Sequence, residues 1–436
     1  MSGMHRCAYT QQISSPQRLR WLRNILPLAL LALTATSHAQ TSLTTLYDFT
    51  GSKGDGASPL GDLVADSTGT LYGTTAPGGR RAQVYKLTPP AVSTSAWSKA
   101  TLYSATPGNP VLGNLTPVIL GKHGELYGAS DSCPGIPFGC VFQLMPPASS
   151  GGAWIMNVIH GFQGSAQGDG KGVALGKLAI DSKGKLYGVT QMGGVADTMV
   201  AGTVYQLTPP ATTGGSWAER ILYKFRNVRG SFYFPQMSVT IGKNGALYGS
   251  TRFSNDLKTG NRAPGVIYQL SLKAGVWTMT VINGAIGGNG VLQPGTSQLT
   301  VAGNGTVYGV STLAGGAFAL LPPASSGGTW TLIRLPSNTA GGPGWELGLD
   351  PTGNLYGTDQ TNQRAYKLTP PATAGGSWTY SLLHTFVGGS EGVVPFGRPL
   401  INSAGSVFGT TEAGGPGNCM NFPLQHPGCG VVFELQ

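Results

Sequence analysis

The sequence predicts an all-β fold: a seven-bladed β-propeller of four-stranded blades, with the ring closed by the N-terminal strand. Three observations carry this. One pentapeptide recurs seven times, a fixed order of turn signals surrounds each copy, and the last copy is short by one strand. The pentapeptide is Gly69-Thr70-Leu71-Tyr72-Gly73, repeated at 124–128, 184–188, 245–249, 305–309, 353–357 and 405–409. Its centre is Leu-Tyr in five copies, Val307-Tyr308 in one and Val407-Phe408 in one. Successive aromatics are 55, 60, 61, 60, 48 and 52 residues apart, a period that marks a repeat architecture. The 436 residues include 69 Gly and 30 Pro, which leaves few places for a long helix.

The first repeat shows the plan. Leu60 to Ala65 is a short apolar strand. Asp66-Ser67-Thr68-Gly69 is a turn, with Asp to cap and Gly to take positive φ. Leu71-Tyr72-Gly73-Thr74-Thr75 is the second strand. Its Leu and Tyr point to opposite faces and can pack toward the two neighbouring blades. A Gly-Gly loop leads to the third strand, Val84-Tyr85-Lys86-Leu87, which Pro89-Pro90 ends because proline cannot donate to a ladder. Trp97 opens a fourth strand that runs to Tyr103. The later repeats keep this order, and only the fourth replaces the proline pair, with Ser271-Leu272-Lys273.

The seventh repeat stops after its third strand, Val432-Phe433-Glu434-Leu435. Leu46-Tyr47-Asp48-Phe49 matches the fourth strands Leu222-Tyr223-Lys224-Phe225 and Leu383-His384-Thr385-Phe386. The N-terminal strand therefore completes the last sheet, and radial closure removes the exposed edges. Residues 40–436 are read as this single domain.

The order Leu-Tyr-Gly-Thr-Thr, Gly-Gly, Val-Tyr-x-Leu-Thr-Pro, Trp, Leu-Tyr-x-Phe resembles the repeat of the GloVer tandem-repeat family of exported bacterial proteins. Leu71–Thr75, Gly78-Gly79, Val84–Pro89, Trp97 and Leu222–Phe225 carry the resemblance most clearly. It spans essentially the whole chain after residue 39. It implies a propeller-type repeat protein and brings no activity or catalytic residues with it. Members often carry a C-terminal anchoring or sorting segment, whereas this sequence ends on a propeller strand.

Residues 1–39 read as a secretion signal. Arg18, Arg20 and Arg23 precede the apolar run 25–33, and Ser37-His38-Ala39 supplies the small residues that mark cleavage before Gln40. An uncleaved anchor is the alternative, although the run is shorter than the roughly 20 residues that span a bilayer. No other stretch is expected to cross a membrane, and a secreted or periplasmic monomer is expected. Four of the 27 basic residues and none of the 17 acids lie in that segment, leaving 23 against 17, a balance of +6. That excess is no nucleic-acid signature.

Cys7 lies in the signal. Cys133 with Cys140 and Cys419 with Cys429 form two close pairs, which in an exported chain favours disulfides over zinc, since the spacings are not the usual ligand gaps.

Connectivity sorts the loops onto two faces. First-to-second and third-to-fourth connections are stereotyped. Second-to-third and blade-to-blade connections vary, and both cysteine pairs fall among them. Variable loops on a rigid scaffold are the expected binding face, although surface loops also vary simply by tolerating insertion. One cluster there is basic: Arg226 and Arg229 after the third blade, and Arg252, Lys258 and Arg262 around the long loop of the fourth, with Asp256 the single acid. Such a patch suits an acidic polysaccharide or a surface protein, or is a solvated charge group.

Enzyme signals are thin. A zinc-protease helix and a phosphate-binding loop are both missing, so no catalytic residue, metal or cofactor is assigned. Asp66, Asp181 and Asp350 fall at turn-capping positions. Asp55 and Asp169 sit in similar Gly-rich loops that offer calcium at most weak binding. His123, His160, His384 and His426 are scattered, and His160 and His384 stand where other repeats have Tyr, so they are expected to pack. The sequence leaves two readings: an exported non-catalytic propeller that binds a glycan or surface partner through its variable face, or a polysaccharide-cleaving hydrolase or lyase. A cluster of three or more acids and aromatics in the central channel would favour the second.

Overall fold

The computed structural model describes residues 41–436 apart from 53, 77–81, 93–94, 105–112, 150, 175, 195–200, 213, 229, 236, 256–259, 285–297, 312–315, 326, 337–345, 374 and 420–425. The secretion signal read at 1–39 lies outside the described residues. Seven antiparallel sheets follow one another, each built on a path of four strands. Blade 1 takes Pro59–Ala65, Leu71–Thr75, Gln83–Thr88 and Ser98–Ser104. Blade 7 takes Val393–Ile401, Val407–Ala413 and Val431–Leu435, and its fourth strand is Leu43–Asp48 from the other end of the chain. Leu43 stands opposite Leu435 and Asp48 opposite Val431, so the ring closes as the split repeat predicts.

The pentapeptide explains itself in this setting. Its first glycine takes positive φ, +82° at Gly69 and +90° at Gly405, in the turn between the first two strands. Its last glycine has a different reason. Gly73 stands opposite Tyr85 in the ladder, and a Cβ there would lie 2.5 Å from the Tyr85 hydroxyl. The third-strand ring lies flat across the glycine, and Gly128 under Phe142 and Gly409 under Phe433 repeat the arrangement. Between the glycines, Leu71 packs with Leu46, Phe49 and Val432 toward blade 7. Tyr72 packs with Leu115, Val118 and Leu126 toward blade 2. The core is therefore a set of layers between blades, and each buried Leu or Phe contributes about 1.5–3 kcal/mol.

The capping aspartates behave as their positions predict. Asp66 Oδ1 accepts from the Thr68 and Thr70 amides, and Asp66 Oδ2 accepts from the Tyr72 hydroxyl at 3.0 Å. Asp181 and Asp350 repeat this with Tyr187 and Tyr356. Blade 4 departs from the plan where its prolines are missing. Its third and fourth strands continue to Val266–Lys273 and Val276–Gly284, joined by Ala274 and Gly275. Both of these have positive φ, +48° and +80°, as a two-residue hairpin turn requires.

The fourth strands share a further device. Register shifts between Val84 and Tyr85, Val141 and Phe142, and Val204 and Tyr205 mark a bulge at the same place in blades 1, 2 and 3. Blade 7 has it between Thr45 and Tyr47. The extra residue buries an apolar side chain, such as Leu46, Leu102 or Leu222. It thereby re-aims the next side chain along the blade corner.

Candidate functional site

Three places bear on function: the axis, the variable face and the corners between blades.

Around the axis, Lys177 of blade 3 reaches Asp62 of blade 1 at 3.2 Å. Arg398 of blade 7 lies 3.1 Å from Glu346 of blade 6 and 3.9 Å from Asp62. Gln298 of blade 5 donates to the Lys177 and Val239 carbonyls. Non-adjacent blades meet in this way only at the centre of the ring. Burial would raise the Asp62 carboxyl, but the Lys177 and Arg398 charges outweigh it and hold Asp62 below the usual range. Glu346 goes the other way, pushed up to about 8 by burial and by Asp62. Among the described residues, the axial network holds two acids, Asp62 and Glu346, with two cations, Lys177 and Arg398.

On the variable face, both cysteine pairs are disulfides. Cys133–Cys140 pins the second-to-third connection of blade 2, and Cys419–Cys429 pins that of blade 7. The two loops that carry the basic residues are neighbours, as expected. Asn255 donates through its side chain to Asn227 at 2.7 Å and through its backbone amide to the Ser231 carbonyl at 2.8 Å. The second strand of blade 4, Leu247–Asn255, runs on past its sheet as a ribbon between Phe232–Pro235 and Arg262–Pro264. This brings Arg252 and Arg262 together on Phe253, with guanidinium carbons 5.1 and 3.4 Å from the ring centroid. Both arginines are exposed, as is Arg226 on the adjoining loop. Among the described residues none of the three pairs with a carboxylate. Arg229, Lys258 and Asp256 lie outside the described residues.

The corners hold what the sequence reading missed. In blade 1, Tyr47 donates to Asp55 at 2.6 Å, and Lys99 pairs with Asp55 at 3.1 Å. The Lys99 ammonium also lies 5.5–6.0 Å from the centroids of Tyr47, Phe49 and Tyr85. Burial alone would raise Asp55, but the bonds from Tyr47 and Thr50 and the charge of Lys99 outweigh it and hold it low.

The same corner between blades 2 and 3 carries His160, Asp169 and Glu219 in those three places. Asp169 is nine-tenths buried and accepts from the Gln163 and Gly170 amides. His160 Nε2 lies 3.5 Å from Glu219 Oε1 and 4.0 Å from Asp169 Oδ2. The three ligand atoms fall within 4.8 Å of one another. His160 Nε2 and Glu219 Oε1 are buried with no hydrogen-bond partner. Burial, then the charge of Asp169, pushes Glu219 up to about 7, with Lys224 opposing. Burial holds the His160 imidazole below its ordinary value against the pull of Asp169. His160 does pack edge-on against Phe162, as a tyrosine there would, but it also faces two acids. His384 pairs with Glu391 at 3.1 Å in the blade 7 corner. Aligning the fourth strands three residues before Leu102 and Leu222 sets Lys99 against Glu219, which is the signal that could have found the site.

No family model matches the chain, and no curated protein sequence matches it. Among solved structures it is similar to a streptogramin B lyase, at 12% identity and TM-score 0.52, covering 91% of this chain and 97% of that one. It is also similar to a virginiamycin B lyase from Staphylococcus aureus, solved as a catalytically inactive variant with quinupristin. There the identity is 11% and the TM-score 0.53, with 91% of this chain and 99% of that one covered. At such identities the likeness is one of fold.

Proposed function

We propose that this chain is an exported propeller that binds an acidic glycan through its variable face without cleaving it. The observation that carries the reading is the pair of exposed guanidiniums gathered over Phe253, that of Arg262 at 3.4 Å from the ring centroid. An arginine held flat on a ring keeps its N–H edge free, and that edge matches a carboxylate or sulfate. Arg226 adds a third charge from the adjoining loop, and we assign Arg229 and Lys258 to the same patch. A surface protein bearing such groups would meet the same chemistry. The two disulfides support a place outside the cytoplasm, secreted or periplasmic. The repeat order supports assignment to the GloVer-type repeat proteins.

The hydrolase or lyase reading draws less support. It needs acids open to a substrate, and Asp62 and Glu346 are closed in by Lys177 and Arg398.

Binding of the purified chain to neutral and acidic polysaccharides, at low and moderate salt, tests the proposal. Salt-sensitive binding to the acidic members with no shortening is expected. Charge reversal at Arg252 and Arg262 is expected to abolish it. Unchanged affinity in that variant removes the patch, and shortened chains move the protein to the enzyme class.

A further inference from the structure

The blades of one ring are copies of one design, so each corner serves as a control for the others. In blade 1 the corner is a cage of Tyr47, Phe49 and Tyr85 with Asp55 at its edge, and it encloses a cation, the Lys99 ammonium. The corner between blades 2 and 3 has the same frame in His160, Phe162, Tyr205 and Asp169. Its residue at the lysine position is Glu219. The protein's own cation is gone, and a second carboxylate and an imidazole face the space. Tyr205 beneath is fully buried, as Tyr85 is in blade 1. The Lys224 charge reaches Glu219, but its ammonium is bonded to the Gly168 carbonyl at 2.7 Å.

We propose that His160, Asp169 and Glu219 bind a divalent first-row transition-metal ion, with zinc the best match to one imidazole and two carboxylates. The distances suit this. Ligands bonded to zinc at ~2.0–2.1 Å in a tetrahedron stand ~3.4 Å apart, close to the 3.5 Å between His160 Nε2 and Glu219 Oε1. The 4.0 Å to Asp169 closes by a small turn of the His160 imidazole. The amides of Gln163 and Gly170 already fix that carboxylate from behind, the outer support that metal ligands need. Calcium takes six to eight oxygens and is a poor match to a site with an imidazole and a carboxylate already bonded to two amides. Three protein ligands leave one position of the metal for water or a ligand. This site is separate from the Arg252 and Arg262 patch, and either assignment stands without the other.

The test uses the purified chain stripped with a chelator and then given Zn²⁺ or Co²⁺, with Ca²⁺ and Mg²⁺ as comparisons. A single equivalent of Zn²⁺ or Co²⁺ is expected to stay bound through gel filtration, to raise the unfolding temperature and, for Co²⁺, to colour the protein. Glu219→Lys rebuilds the blade 1 pair, so it is expected to fold and to lose that equivalent. Glu219→Gln is the second variant and decides the matter if the lysine variant does not fold. Failure of the parent chain to retain Zn²⁺ or Co²⁺ overturns the proposal, as does full retention by the folded Glu219 variant. Preferential retention of Ca²⁺ overturns the assignment of the ion.

Discussion

Two corners of one ring, built on the same strands and the same bulge, differ by two side chains. Tyr47, Asp55 and Lys99 close on one another in blade 1. His160, Asp169 and Glu219 bring two acids and an imidazole together with no lysine among them, and two of their buried polar atoms remain without partners. The difference separates what a repeat needs from what it can carry. The aromatic floor and the acid belong to the frame, and the residue three before the bulge decides whether the corner is a closed ion pair or an open set of ligands.

The floor is where the largest effect is expected. Phe49 and Phe162 are both fully buried, so Phe49→Ala and Phe162→Ala should each cost about 3–5 kcal/mol in denaturant unfolding. A large cost in one corner and none in the other would end the claim that the two are equivalent. Lys99→Ala comes next. It leaves Asp55 buried without its cation and should cost about 3 kcal/mol, the lower end for a broken buried pair because Thr50 and Tyr47 still bond the carboxylate. Glu219→Lys should move the other corner in the opposite direction. It replaces like-charge crowding with an ion pair and should stabilise the metal-free protein by on the order of 2 kcal/mol at neutral pH.

Acidity sharpens the contrast. Asp55 is held below its unfolded value, so its contribution is present above the ordinary carboxylate range and is lost as pH falls through the lowered value. Glu219 is held up to about 7, so its contribution is full below its unfolded value and is lost as pH rises through about 7. Comparing the parent with Glu219→Gln across pH 5–9 should show the parent losing stability relative to the variant as pH rises. The axial Glu346 titrates in both proteins and cancels in the difference. A difference that stays flat over this range would show that Glu219 is an ordinary exposed acid. The smallest effect should come from His160→Tyr, which restores the residue of blade 1 on an unchanged floor. Less than about 1 kcal/mol is expected, as for a tolerated swap of similar shape.

How much of this could be read in advance follows from where the information lies. The ring was legible because its requirements are local. A turn glycine, a second glycine under an aromatic ring and a proline pair recur at fixed distances, and the missing strand is supplied by Leu46-Tyr47-Asp48-Phe49 at the other end. The disulfides were legible from close spacing. The corners were only half legible. Asp55 and Asp169 stood out as similar loops and His160 as a residue in a tyrosine's place, but the third member comes from a strand 50 residues after Asp169. The meeting of Arg252 and Arg262 on Phe253 was also hidden. It depends on a ladder register, Asn255 against Arg262, that loop composition does not reveal. The axial network joins six blades, and no local pattern announces it.

The most direct test of the central claim, that the side chains at two corner positions decide between a closed pair and a cation site, is to transplant the open set. The double variant Tyr47→His with Lys99→Glu gives the blade 1 corner the residues of the other. Metal content after chelation, reloading with Zn²⁺ and gel filtration should rise from one equivalent in the parent to two in the folded variant. A folded variant that still holds one equivalent, or a parent that holds none, would contradict the account.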